Sequence, residues 1–264
     1  MQKIPELVCP TGNLPALKTA VDNGADTVYM GLKDATNARN FPGLNFDMKS
    51  AREGVAYAHA RGRNVLMAIN TFAQAGQVER WHAAVDTAAD LGADAIIVAD
   101  PAIMAYAADK HPNLRLHMSV QGSATNYEAI NMMKELFGIR RAVLPRVLTI
   151  DQVKHVIDNT DVEIEVFGFG SLCVMVEGRC ILSSYATGES PNMQGVCSPA
   201  KSVRWEQLPD RMNVRLNQVL IDQYKPNEPA GYPTLCKGRF EVNDEIPATI
   251  GTNVNQNKAS PIPP

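Results

Sequence analysis

Short apolar runs alternate with longer stretches of helical period through most of the chain. The runs fall at residues 6–9, 27–30, 65–69, 95–98, 114–117, 142–144 and 162–167, and each reads as a strand. Alanine-rich segments whose apolar positions recur at helical spacing lie between them, most clearly at 78–91 and 125–137. The junctions repeat as well: Asn23-Gly24-Ala25-Asp26 and Leu91-Gly92-Ala93-Asp94 each set a glycine behind a helix and an apolar run beyond it. Gly62 and Gly138 stand in the same relation to their helices, where a left-handed residue closes the last turn.

Strand–helix alternation at this rhythm means βαβ units and a parallel sheet. Seven units predict an α/β fold, a TIM-type (β/α) barrel one unit short, with an open doubly wound sheet as the alternative. No Gly-x-Gly-x-x-Gly follows the first strand, which leaves a Rossmann nucleotide site without support. The pattern breaks after Phe167. We therefore divide the chain into barrel units over 1–167, a Gly-, Ser-, Pro- and Cys-rich region over 168–240, and a polar tail over 241–264 with four prolines and no periodicity. Within the middle region, 211–224 is predicted as a helix.

Composition changes this picture little. The 264 residues are 45% hydrophobic and 20% charged, with a net charge of −3 and scattered Lys and Arg, so a basic nucleic-acid surface is not expected. No apolar run approaches the roughly 18 residues that span a bilayer, and the first residues lack a signal-peptide core. The expected location is the cytoplasm, where thiols stay reduced and five cysteines point to metal or redox chemistry.

Four of the five lie in the irregular region. Six residues separate Cys173 from Cys180, sixteen separate Cys180 from Cys197, and thirty-eight separate Cys197 from Cys236. Glycine-rich loops can bend to bring thiolates to one point, as an iron–sulfur cluster requires. Structural zinc is the rival, although its cysteines usually pair two to four residues apart. Burial as small hydrophobes is the third reading for these four, and core packing is the expectation for Cys9.

The run from Glu165 to Ser183, Glu-Val-Phe-Gly-Phe-Gly-Ser-Leu-Cys-Val-Met-Val-Glu-Gly-Arg-Cys-Ile-Leu-Ser, resembles the signature of the peptidase U32 family, the collagenase-like proteins. Segments 10–18, 31–34, 36–39, 68–72, 119–126, 143–147, 182–185, 187–192 and 230–239 sharpen the likeness toward family members of anaerobic ubiquinone biosynthesis. The resemblance implies a 4Fe-4S cluster on Cys173, Cys180, Cys197 and Cys236. It also implies a heterodimer with a UbiV-like protein, and hydroxylation of the quinone precursor ring without molecular oxygen, prephenate being the expected oxygen donor. Hydroxylation of RNA by related proteins is the alternative. Peptidase activity, which the family name suggests, is not expected: there is no H-E-x-x-H and no Gly-x-Ser-x-Gly, and a cysteine bound to iron is no free nucleophile.

In such barrels the chemistry sits at the carboxyl ends of the strands. Lys33, Asn70, Asp100, His117, Gln121, Arg146 and the turn from Phe169 to Cys173 fall there, with Arg39 in the second loop. Arg146 and Arg39 could clamp a carboxylate, or form salt bridges in the barrel mouth. His117 is a candidate proton carrier or a hydrogen-bonded structural residue. Asn70 and Gln121 are candidates for holding a ring oxygen, or for satisfying loose backbone groups. Glu177 lies between the first two cysteines, a possible tuner of the cluster or a solvated charge. His59, His82, His111 and His155 read as surface positions.

Overall fold

The computed structural model describes residues 4–170, 178, 180–231 and 233–237. Seven strands form one parallel sheet in sequential order: β1 (Val8–Pro10), β2 (Thr27–Gly31), β3 (Asn64–Ile69), β4 (Ala95–Val98), β5 (Arg115–Met118), β6 (Arg141–Val143) and β7 (Glu163–Glu165). Helices α1 (Leu14–Asp22), α2 (Met48–His59), α3 (Glu79–Asp90), α4 (Pro101–Lys110), α5 (Tyr127–Phe137) and α6 (Ile150–Asp158) connect them.

The two faces of the sheet differ. Val28, Met30, Val65, Met67, Ile69, Ile96, Val98, Leu116 and Met118 project toward the helices and form one large core with Leu17, Val55, Trp81, Val85 and Ile103. The alternate positions Leu66, Ala95 and Ile97 form a second, smaller core with Val8 and Tyr29 on the other face. With both faces covered, the central strands are apolar, and all four residues of β4 are buried. Side-chain caps start the helices at Asn13, Asp47, Asp100, Asn126 and Thr149. Gly24, Gly62, Gly92 and Gly138 all carry the positive φ expected of them.

One ion pair decides between barrel and open sheet. Arg141, at the start of β6, donates through Nη2 to Glu6, two residues ahead of β1. In a flat sheet five strand spacings would hold these elements roughly 24 Å apart. The sheet is therefore curled into a TIM-like half-barrel, and its second face is the inside of that curl. Among the described residues it ends on β1 and β7.

The described residues divide into two compact units, one within 4–180 and 190–196, the other within 181–189 and 197–237. In the second unit, α7 (Leu182–Thr187) accompanies an antiparallel meander of β8 (Val203–Gln207), β9 (Met212–Leu216) and β10 (Val219–Tyr224). The helix expected over 211–224 is thus a hairpin. Met212, Val214 and Leu216 alternate with Asn213 and Arg215, which is the period of a strand. Asn217, at φ 51°, turns the chain so that Leu216 pairs with Val219. Val214, Leu216, Ile221 and Tyr224 form this unit's core, with Ala186 of α7 packed on it. The tail expected over 241–264 lies outside the described residues.

Candidate functional site

The carboxyl ends of β3 and β5 are joined by hydrogen bonds. Asn70, just past β3, accepts from the Ala38 backbone N–H at 2.9 Å and donates to the Ser119 hydroxyl at 3.3 Å. The same hydroxyl accepts the Gln121 backbone N–H at 3.1 Å. The Gln121 side-chain oxygen accepts from the Gly178 N–H at 2.9 Å. Both amides named from the sequence thus serve backbone groups. Asp100 does likewise: its two oxygens accept from Ala102, capping α4, and from Ala73, each at 2.8 Å. Lys33 stands 4.0 Å from Asp47 on the exposed side.

Two arginines approach the inward-facing Tyr29. Burial pushes the Tyr29 hydroxyl above its ordinary pKa; Arg39 and Arg146 oppose that shift, and Glu165 adds to it. The Arg39 guanidinium donates to the Ala38 carbonyl at 3.0 Å, and that of Arg146 lies 3.9 Å from the Phe167 ring centroid. The positive charges of Arg39 and Arg146 are thus both felt at Tyr29, a field suited to a carboxylate.

His117 lies deeper than the sequence suggested. It is the third residue of β5, level with Ile97 of β4 and with Arg141, the first residue of β6. It is 2% exposed, and among the described residues neither ring nitrogen has a hydrogen-bond partner. Burial, reinforced by the charges of Arg141 and Arg115, lowers its pKa to about 4, so the ring is neutral near pH 7.

Beside it lies a cluster that sequence reasoning missed. Arg141 donates to Glu6, to Glu163 at 2.8 and 3.0 Å, and to Glu165 at 3.4 Å; Thr27 also donates to Glu6. Burial alone would raise the Glu6 and Glu163 carboxyls, but these bonds and the arginine's charge hold both below the usual range. Burial dominates at Glu165 and keeps its carboxyl above it. The available signal was Glu163-Ile164-Glu165: two acids at alternate positions of a strand share one face.

Cys180, Cys197 and Cys236 are of intermediate burial, and the Cys236 Sγ lies 3.6 Å from the Thr234 hydroxyl. Cys173 and Glu177 lie outside the described residues. Among the described residues no group of three His, Cys, Asp or Glu side chains is gathered to hold a metal ion. The donor chemistry fits an iron–sulfur cluster, since reduced, partly accessible thiols are its ligands. Cys9 packs against the core between sheet and helices, as expected. His59 pairs with Asp94 at 2.9 Å and His111 with Asp86 at 2.7 Å. His82 stacks on Tyr106, and His155 meets the Tyr127 ring edge-on. Among the described residues no helix is long and apolar enough to cross a membrane.

A curled parallel half-barrel of successive strand–helix units defines a TIM-like protein. The model for peptidase family U32 matches residues 12–232, and the chain belongs to that family. It is 34% identical over 204 residues to tRNA hydroxylation protein P1 of Bacillus subtilis, covering 77% of this chain and 47% of that protein. It is 35% identical over 245 residues to an uncharacterized protease of Methanocaldococcus jannaschii, covering 91% and 54%. The chain thus spans about half the length of these curated relatives. The solved structure of the U32 peptidase Mk0906 shares the fold at a TM-score of 0.51 and 17% identity, over 63% of this chain and 70% of that one.

Proposed function

We propose that the chain is the iron–sulfur part of a hydroxylase that works without molecular oxygen, acting on the aromatic ring of a ubiquinone precursor. The observation that carries the hydroxylase reading is the 204-residue match to a protein named for tRNA hydroxylation. The quinone substrate is supported by the segments that resemble the ubiquinone-biosynthesis protein UbiU. A UbiV-like protein is the proposed partner, and prephenate the proposed oxygen donor.

Cys173, Cys180, Cys197 and Cys236 would hold a 4Fe-4S cluster, which supplies one-electron redox chemistry when bound. The remaining roles belong to the half-barrel. Arg39 and Arg146, whose charges are both felt at Tyr29, bind and orient a carboxylate-bearing donor. His117, neutral at working pH, is able to accept a proton from within the curl. Asn70 and Gln121 hold the loops that frame the site.

RNA is the second reading, favoured by the relative's name. A net charge of −3 counts against it, because phosphate binding needs clustered cations. Peptidase activity is disfavoured by the absence of a recognisable nucleophile and base.

The test is an anaerobic assay of the full chain with its UbiV-like partner, offered a quinone-precursor ring and prephenate, and separately tRNA. Ring hydroxylation that falls at least tenfold in Arg146→Met supports the proposal. Turnover of tRNA alone would replace the quinone reading with the RNA one.

A further inference from the structure

Two short segments of the cysteine-rich region lie against the carboxyl-end loops of the half-barrel, and each is fastened by particular side chains. At the first, Gly178 sits at φ +79° with its N–H on the Gln121 side chain. A Cβ added at Gly178 would stand 1.9 Å from the Gln121 carbonyl oxygen, so the glycine is pressed onto backbone that cannot yield. Two residues on, the Cys180 carbonyl accepts from the Asn192 side chain at 3.3 Å.

Asn192 belongs to the second segment, 190–196. Its own carbonyl accepts the Phe72 N–H at 2.7 Å, just past β3. Gly195, at φ +76°, accepts the Asn40 N–H at 2.9 Å, and a Cβ there would meet the Asn37 carbonyl oxygen at 2.3 Å. Gln121 is itself 4% exposed and tied through Ser119 to Asn70. Cys180 is thus framed by a rigid hydrogen-bonded series that starts at β3 and β5.

We infer that Gln121 and Asn192 are positioning residues that fix Cys180 against the half-barrel before any metal binds. The purpose of that placement rests on the proposed cluster, but the placement itself does not. Holding a ligand beforehand removes part of the ordering cost of metal binding and slows its loss.

The test uses the full, reduced, metal-free chain and iodoacetamide, with alkylation followed at Cys180 and Cys9 by peptide mass spectrometry. Gln121→Met removes the acceptor at nearly equal size, and Asn192→Ala removes the donor. The inference expects Cys180 to react about fivefold faster in both, the factor for one lost hydrogen bond. Cys9 should keep its wild-type rate. An unchanged Cys180 rate overturns the inference, and so does an equal rise at Cys9, which would mean general loosening. After anaerobic reconstitution the same two variants should lose iron to a chelator faster than wild type; equal loss rates would also count against the inference. A wild-type chain that takes up no iron would sink the cluster reading, while the alkylation rates still decide whether Gln121 and Asn192 position Cys180.

Discussion

Replacing Arg141 by methionine should destabilise the half-barrel by about 3 kcal/mol, toward the lower end for breaking a buried ion pair by deleting one partner. The side chain is 11% exposed and bonds to three carboxylates, whose own exposures are 32% at Glu6, 54% at Glu163 and 20% at Glu165. Glu163 reaches water and will lose little, which discounts the effect. Glu165 cannot follow it: without the guanidinium it must stay charged in a largely buried place or take up a proton, while Glu6 keeps only the Thr27 hydroxyl. The same pair joins β6 to the chain before β1, so the curl of the sheet depends on it. Urea denaturation monitored by circular dichroism measures the effect. Arg141→Lys should recover part of the loss, because it keeps the charge but not the planar fork. A loss below about 1 kcal/mol for Arg141→Met would show that the cluster is no better than a surface pair.

His117 should make stability fall as the solution is acidified. Its pKa is about 4 in the fold against an ordinary 6.5, so the unfolded chain takes up a proton that the folded chain refuses. The contribution is fully present above about pH 6.5, declines as pH falls toward 4, and changes no further below that. The whole change is roughly 3 kcal/mol at 1.36 kcal/mol per pKa unit. Both ring nitrogens lack partners among the described residues, so His117→Leu forfeits no hydrogen bond seen there. That variant should lose the slope that His117 contributes between pH 6.5 and 4, while the acid loss from Glu6 and Glu163, both held below the usual carboxylate range, persists. Melting temperatures across this range provide the check. An identical slope in His117→Leu would assign the pH dependence elsewhere.

The sheet was legible in the sequence because both its faces are covered. Runs such as Ala95-Ile96-Ile97-Val98 are apolar whichever way they point, and glycines mark the helix ends between them. The strand bounds shift by one or two residues: the run at 6–9 becomes Val8–Pro10, since Glu6 turns inward to meet Arg141. The helix expected over 211–224 failed because its apolar positions fit two periods, and the Asn217 turn settled them as a hairpin. At the site, Asn70 and Gln121 were found from their positions past strand ends. What they bond to was not readable, since Gly178 comes to Gln121 across 57 positions of sequence. The depth of His117 was hidden for a related reason: a residue's level in a curled sheet depends on register between strands, which one sequence does not display.

The central claim is that cysteines of the 168–240 region hold an iron–sulfur cluster in a family built on this half-barrel. The most direct measurement is iron and acid-labile sulfide per chain in protein purified without oxygen, with its visible spectrum, beside Cys180→Ala. The account predicts a brown protein with about four irons and four sulfides per chain, and loss of both colour and iron in the variant. A colourless chain holding one zinc, or no metal after anaerobic reconstitution, would contradict it.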